Sequence, residues 1–126
     1  NIGTQSSTIV VRGIATGRID LRDFSKVVLK EFAVGLILGL VYGLFIGIIA
    51  KITFHAEPFS MALAISVGLA IISSMTIAAL VGSMVPLVLE KLHIDPAVAT
   101  GPFVTTAIDI VSVYCYFMIS SALLGL

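Results

Sequence analysis

Three long stretches of this sequence carry almost no charge. Residues 32–50 form an uncharged run of 19 residues, residues 58–89 form a longer one, and residues 96–126 contain one charged residue, Asp109. A helix of about 20 apolar residues crosses the hydrocarbon core of a bilayer. Only 11% of the residues are charged and the mean hydropathy is +1.18, whereas a typical soluble domain is about a quarter charged. The sequence therefore predicts an all-α integral membrane protein.

The positive charges predict the orientation of the helices. Five of the seven Lys and Arg residues lie close together: Arg12, Arg18, Arg22, Lys26 and Lys30. The positive-inside rule then places residues 17–30 in the cytoplasm. Alternation puts residues 51–58 outside, residues 91–95 in the cytoplasm and the C-terminus outside, as in a multi-pass protein of the cell membrane. We expect membrane lipid as a partner and no nucleic acid, although the net charge of zero by itself says nothing about nucleic acid.

The segments predict a polytopic bundle with one half-helix and three complete helices. Residues 1–16 hold too few apolar residues to cross alone, and residues 17–30 resemble an amphipathic connector at the headgroup level. The complete helices are predicted at residues 31–53, 59–90 and 96–126, with a break or bend near Pro86. Because the chain opens at Asn1 without an initiator Met, we expect further protein upstream.

Small residues and hydroxyls recur at helical spacing in the first two complete helices. Glycines recur every four residues along one face, at Gly35, Gly39, Gly43 and Gly47. Such a row lets two helices approach closely in lipid, so packing is favoured over a ligand role. Four hydroxyls share a face of the next helix: Ser66, Ser73, Thr76 and Ser83. They could line a wet path or bond back to carbonyls one turn earlier.

The remaining reactive residues give weak indications. His55 and Glu57 could hold a metal loosely, although a solvated loop pair is favoured, and His93 has no obvious ligand partner. The single cysteine, Cys115, is expected to serve packing. No HExxH, P-loop or GxSxG motif occurs, so we do not expect an enzyme.

Asp109 is the candidate functional residue. A charged side chain near mid-membrane costs about 2.5–3.5 kcal/mol on insertion scales, so it normally faces a partner, a bundle interior or a water-filled path. Thr105, Asp109, Ser112 and Tyr116 are spaced by four, three and four residues and share one face, which Thr106 borders.

Pro102 should free carbonyls between Val98 and Gly101 to face a ligand. An acid, hydroxyls and free carbonyls suit a hard cation such as Mg²⁺, Ca²⁺ or Mn²⁺. One carboxylate per chain would suffice in a symmetric dimer. The alternative is an Asp109 bonded to a hydroxyl or Arg of a neighbouring helix.

Two motifs resemble a known family. NIGTQSST at residues 1–8, followed by VVRGIATG at 10–17, resembles the second transmembrane helix of the MgtE family of magnesium transporters. DPAVATGPFVTTAID at residues 95–109 is similar to the final helix of that family, with its Asp-Pro start, mid-helix proline and Asp seven residues later. The resemblance covers essentially the whole chain. It implies a dimeric cation channel with five transmembrane helices per subunit, in which the second and fifth helices surround the ion path.

The resemblance also implies roles for individual residues. Asp109 would be the pore acid that holds a largely hydrated Mg²⁺, the transported and bound ion, while Thr105 and Gly101 would add hydroxyl or backbone oxygens. Further pore-lining candidates are Asn1, Gly3, Gln5, Thr106 and Ser112. Bacterial members carry a cytoplasmic Mg²⁺-sensing domain and a CBS-domain pair before the membrane part, so upstream regulatory domains are expected.

Three functions are compatible with these residues. The leading hypothesis is Mg²⁺ permeation through a homodimer with Asp109 as its central acid. The first alternative is a proton-coupled carrier that uses Asp109 as a protonatable relay. The second is a non-transporting assembly subunit, in which the glycine row and Asp109 merely hold helices together.

Overall fold

The computed structural model describes residues 1–125, apart from the side chain of Phe103. Four α-helices make up these residues: α1 (Ile2–Ala15), α2 (Phe24–Thr53), α3 (Ser60–Lys91) and α4 (Pro102–Leu124). Short 3₁₀ helices, Leu21–Asp23 and Pro96–Thr100, precede α2 and α4. The segments Leu21–Thr53, Ser60–Lys91 and Val104–Leu124 are long and apolar enough to cross a membrane. The prediction of an all-α membrane protein is confirmed.

The central helix is α3, which packs against α1, α2 and α4. Within residues 1–125, α2 and α4 have no Cα atoms within 8 Å of each other, so they flank α3 separately. The fully buried residues of α3 are mostly small, including Ser66, Ala70, Ala79 and Ser83. Small side chains let helix backbones approach closely in lipid, where van der Waals packing replaces the hydrophobic effect.

The glycine row of α2 lies along α3. A Cβ atom on Gly39 would lie 3.0 Å from the Cα and carbonyl oxygen of Ile72, and one on Gly47 would lie 3.1 Å from the carbonyl oxygen of Ala64. Gly43 faces Gly68, whose own Cβ would lie 3.1 Å from the carbonyl oxygen of Gly43. The backbones of α2 and α3 are therefore in direct contact along this row of glycines.

A second close crossing joins α1 to α3. A Cβ atom on Gly82 would overlap the carbonyl oxygen of Gly3, and one on Gly3 would lie 2.9 Å from the carbonyl oxygen of Ala78. Ala78 and Gly82 are one turn apart, a small-residue pair of the kind that marks helix contacts in membranes. This pair in the sequence could have predicted the crossing.

The hydroxyl groups of α3 bond in two ways, of which only the bond back to the same helix was predicted. Thr76 and Ser83 donate to carbonyls of their own helix, at Ile72 (2.7 Å) and Leu80 (2.9 Å). Ser66 and Ser74 instead donate to α4, at the carbonyls of Ser120 (3.2 Å) and Ser112 (2.9 Å). Ser66 and Ser74 therefore link α3 to α4.

One element boundary differs from the sequence-based expectations, and a break expected near Pro86 is absent. The connector predicted at residues 17–30 ends early, because the side chains of Asp20 and Asp23 form a capping box, and α2 begins at Phe24. The helix predicted at 59–90 runs unbroken through Pro86, which is fully buried inside α3. One proline removes only one backbone hydrogen bond from a helix of 32 residues.

Candidate functional site

The start of α4 determines where Asp109 lies. The carboxylate of Asp95 accepts a hydrogen bond from the backbone N–H of Ala97 (3.0 Å), which opens the 3₁₀ helix Pro96–Thr100. Gly101 is extended (φ −74°, ψ 161°), and Pro102 takes the first position of α4, where its missing N–H has no partner to lose. The single helix predicted at 96–126 is therefore wrong at its start, and its last residue, Leu126, lies outside the described residues.

This start moves Asp109 away from the middle of its helix. Asp109 is the eighth of the 23 residues of α4, about 10 Å along the axis from Pro102. Its side chain is exposed, and it makes no hydrogen bond or ion pair within residues 1–125. In the isolated chain, the carboxylate therefore lies on the outer surface of a membrane helix.

An open, almost wholly apolar groove of about 490 Å³ lies beside Asp109 on this outer surface. Besides Asp109, the groove is lined by two residues with hydroxyl groups, Thr106 and Tyr114, and by the apolar residues Ile110, Val113 and Phe117. Ile110, Tyr114 and Phe117 are each 64% exposed. One carboxylate and two hydroxyl groups thus border a broad apolar surface.

The other polar residues of the predicted stripe are half-buried and bonded. The Thr105 hydroxyl donates to the carbonyl of Pro102 (3.0 Å), and the Ser112 hydroxyl donates to that of Ile108 (2.8 Å). Tyr116 makes an edge-to-face contact with Phe117, at 5.6 Å between ring centroids. Thr106, rather than Ser112 or Tyr116, shares the groove with Asp109.

The carbonyls before Pro102 are less free than predicted. Gly101 accepts from the backbone N–H of Thr105 (3.1 Å), and Val98 accepts from that of Gly101 (3.0 Å). Each carbonyl oxygen has a second lone pair, so Gly101 can still accept one further donor or contact a cation. At Val98 and Gly101, the break therefore leaves one lone pair on each carbonyl oxygen and no vacant carbonyl.

The beginning of α1 packs against the buried Ile108 of α4. A Cβ atom on Gly3 would lie 2.5 Å from the side chain of Ile108, the residue before Asp109. Gly3 is buried between α3 and α4 and faces no open surface, in contrast to the pore-lining role predicted for it. Asn1 and Gln5, one turn apart, are exposed. The Ser7 hydroxyl donates to the buried carbonyl of Ala99 (3.0 Å) and fixes α1 against the 3₁₀ helix.

The loop residues form no metal cluster. Within residues 1–125, no three His, Cys, Asp or Glu side chains come together as metal ligands would. His55 and Glu57 are exposed. His93 follows the last turn of α3 and adopts the left-handed conformation (φ 59°) that commonly terminates a helix. This residue therefore has a role in ending the helix that needs no metal.

Comparison with known proteins gives the family. The model of the MgtE family, described as a divalent cation transporter, matches residues 1–119. Three relatives carry the name magnesium transporter MgtE. The relative from Enterococcus faecalis is 40% identical over 96% of this chain, that from Thermus thermophilus 36% over 98%, and that from Bacillus subtilis 33% over 97%. The chain spans 26% of the length of each relative.

The match includes α1 and the first part of α4, which contact each other through Gly3 and Ile108. It also includes the α2–α3 pair with its row of glycines. From this match over nearly the whole sequence, together with three membrane-length helices, we conclude that the chain belongs to the MgtE family of divalent cation transporters.

Proposed function

We propose that two copies of this chain form a pathway for Mg²⁺ across the membrane, with Asp109 of each copy as the central ion-binding acid. The exposure of Asp109 on α4 carries the proposal. A carboxylate that faces lipid within the bilayer costs about 2.5–3.5 kcal/mol on insertion scales. A second copy packed on this face would replace lipid by protein and water.

The surface around Asp109 suits such a contact. Ile110, Val113 and Phe117 continue it along α4 and are each more than half exposed. A two-fold axis along this face would bring the same surface of both copies together, as in most homodimers. The two carboxylates would then face each other across the axis, and each would lie beside Thr106.

Oxygen ligands favour a hard cation at this site. Mg²⁺ gives up its water reluctantly and is commonly held by one or two carboxylates and retained water. A pair of Asp109 side chains meets that requirement without a closed cage of protein ligands. The relatives are named magnesium transporters, which supports Mg²⁺ over other hard cations.

The neighbouring polar groups have supporting roles in the proposed pathway. In this pathway, Gly101 and Thr105 would supply oxygen atoms two turns and one turn before Asp109, respectively, and Ser112 would supply a hydroxyl one turn after it. Asn1 and Gln5 expose amide groups at the start of α1 that can bond the water around the ion. Gly3 is omitted because it is buried by neighbouring helices.

We further propose that residues 17–30 and 91–95 face the cytoplasm and that the C-terminus lies outside. The cluster of cations before and within the start of α2 supports this orientation. The relatives are about four times as long as this chain, which leaves room for the proposed regulatory domains.

Transport by Asp109→Asn tests the central role of the acid. In cells that lack other Mg²⁺ uptake systems, we expect this variant to insert normally and to lose most of its uptake. It removes the charge that is costly to insert. Glu57→Gln, at an exposed outer-loop acid, is the matched control. Wild-type uptake by Asp109→Asn would refute the proposal, and uptake driven by a pH gradient would favour a proton-coupled carrier instead.

Cross-linking tests the dimer separately. In a Cys115→Ala background, Val113→Cys should form a disulfide between two copies, because the proposed dimer brings the same face of both α4 helices together. A disulfide forms only where the two Cα atoms lie within about 7 Å of each other. Leu44→Cys, on the exposed face of α2, is the control. Cross-linking at Leu44 and none at Val113 would contradict a dimer along α4.

A further inference from the structure

A second cavity, with different chemistry, lies between the end of α1 and the start of α2. It has a volume of about 200 Å³. Three cationic side chains line it, Arg18, Lys26 and Lys30, together with the acids Asp23 and Glu31. Cations and acids share this small space, yet no Lys or Arg nitrogen lies within 4.0 Å of an Asp or Glu oxygen in residues 1–125.

Glu31 is the unusual residue of this cavity. Its side chain is only 4% exposed, and it has neither a hydrogen bond nor an ion pair within residues 1–125. The other acid, Asp23, already accepts a bond from the backbone N–H of Asp20 (3.2 Å). Its carboxylate oxygens are open to the cavity, because no fully buried side-chain oxygen in residues 1–125 lacks a partner. A hydrogen-bond donor bound in the cavity would therefore take the place of water at this carboxylate.

The position of Glu31 along α2 gives its level in the membrane. It directly precedes the uncharged residues 32–50, and Lys51 directly follows them. Nineteen helical residues span about 29 Å, close to the thickness of the hydrocarbon core. Glu31 and its cavity therefore lie at one boundary of the hydrocarbon, where phospholipid headgroups are found.

The walls of the cavity connect these charges to the lipid-facing surface. Val10, Ile19 and Val27 supply apolar walls, and Ile9, which is 54% exposed, lies at the edge. Phe32, one residue beyond Glu31, is 39% exposed on the surface of α2. A ligand with a charged head and an apolar tail would satisfy both regions.

We propose that this cavity binds the headgroup of a phospholipid with a primary amine, such as phosphatidylethanolamine. The phosphate would lie among Arg18, Lys26 and Lys30, and the ammonium group would donate hydrogen bonds to Glu31. The headgroup would thereby give the three cations an anionic partner and Glu31 a cationic one.

Other ligands satisfy only part of the site. An anionic lipid such as phosphatidylglycerol would neutralise the cations but leave Glu31 without a charged donor. A choline headgroup cannot donate a hydrogen bond, because its nitrogen carries no hydrogen. A divalent cation would be repelled by three cationic side chains, and no group of three metal-ligating residues occurs within residues 1–125.

Native mass spectrometry of the purified protein in detergent tests the assignment without any transport measurement. Phosphatidylethanolamine, phosphatidylglycerol and phosphatidylcholine with identical acyl chains are added in turn. A hydrogen bond to a charged group changes affinity by about tenfold. We therefore expect phosphatidylethanolamine to be retained about tenfold more tightly than the other two. Equal retention of the three lipids would overturn the proposal.

Variants identify the groups responsible. Glu31→Gln should abolish the preference for phosphatidylethanolamine over phosphatidylglycerol, and the Lys26→Gln and Lys30→Gln double variant should weaken binding of both. Glu90→Gln, near the end of α3, is the matched control and should keep the preference. An unchanged preference in Glu31→Gln would refute the role of this acid. Displacement of the lipid by equimolar glycerophosphoethanolamine would show that the site takes a soluble headgroup compound instead.

Discussion

Gly43 provides a sharp test of the packing between α2 and α3. A Cβ atom at this position would lie 2.7 Å from the carbonyl oxygen of Gly68 and 2.7 Å from Cγ1 of Ile72. The Ile72 side chain can rotate, but the Gly68 oxygen belongs to the backbone of a central helix. Gly43→Ala should therefore force the two helices apart.

The magnitude follows from two opposing effects. Alanine is favoured over glycine inside a helix by about 1 kcal/mol. Inserting a carbon into a well-packed contact costs about 1–3 kcal/mol, and a fixed backbone atom places Gly43 near the upper end of that range. We expect Gly43→Ala to lower the free energy of unfolding by about 1–2 kcal/mol. Gly47→Ala, with one close contact at 3.1 Å, should be nearly neutral.

The assay is thermal or SDS-induced unfolding of the purified protein in detergent, followed by circular dichroism. Ala33→Val is the control, because Ala33 is exposed on the same helix and the change also adds apolar atoms. A Gly43→Ala variant more stable than the wild type would refute the reasoning. It would mean that helix propensity dominates and that the α2–α3 contact is looser than the structure indicates.

Two further substitutions test local contacts by the same unfolding measurement. His93→Gly should raise stability by about 1 kcal/mol, because glycine adopts the left-handed conformation at φ 59° without strain; lower stability would contradict this. Ser7→Ala should lower stability by about 1–3 kcal/mol, because the buried carbonyl of Ala99 loses its donor. Thr8→Val, at an exposed hydroxyl bonded within its own helix, is the control, and an equal loss there would contradict a specific role for Ser7.

The membrane fold follows largely from local sequence. Uncharged runs of membrane length predict helices because an unpaired backbone group is costly in lipid, and this holds wherever the helices pack. The boundaries were less predictable. A capping box at Asp20 and Asp23 and an extended Gly101 moved the starts of α2 and α4, and each depends on backbone geometry of a few residues.

The environment of Asp109 could be predicted only in part. Helical spacing placed Thr105, Ser112 and Tyr116 on the same side of α4, but spacing does not tell which hydroxyls bond to their own helix. Thr105 and Ser112 do so, and Thr106 shares the groove with the acid. The exposure of that groove required the position of α3, which covers only the opposite side of α4.

The sequence by itself determined the family, the helical membrane character and the presence of one costly acid in an apolar run. These properties depend on residue type and on order along the chain. Only the tertiary structure decided that Gly3 is buried, that Asp109 is exposed, and that Glu31 lies unpaired among three cations. These properties depend on which residues from distant parts of the chain are brought together, because burial and pairing arise from contacts between helices.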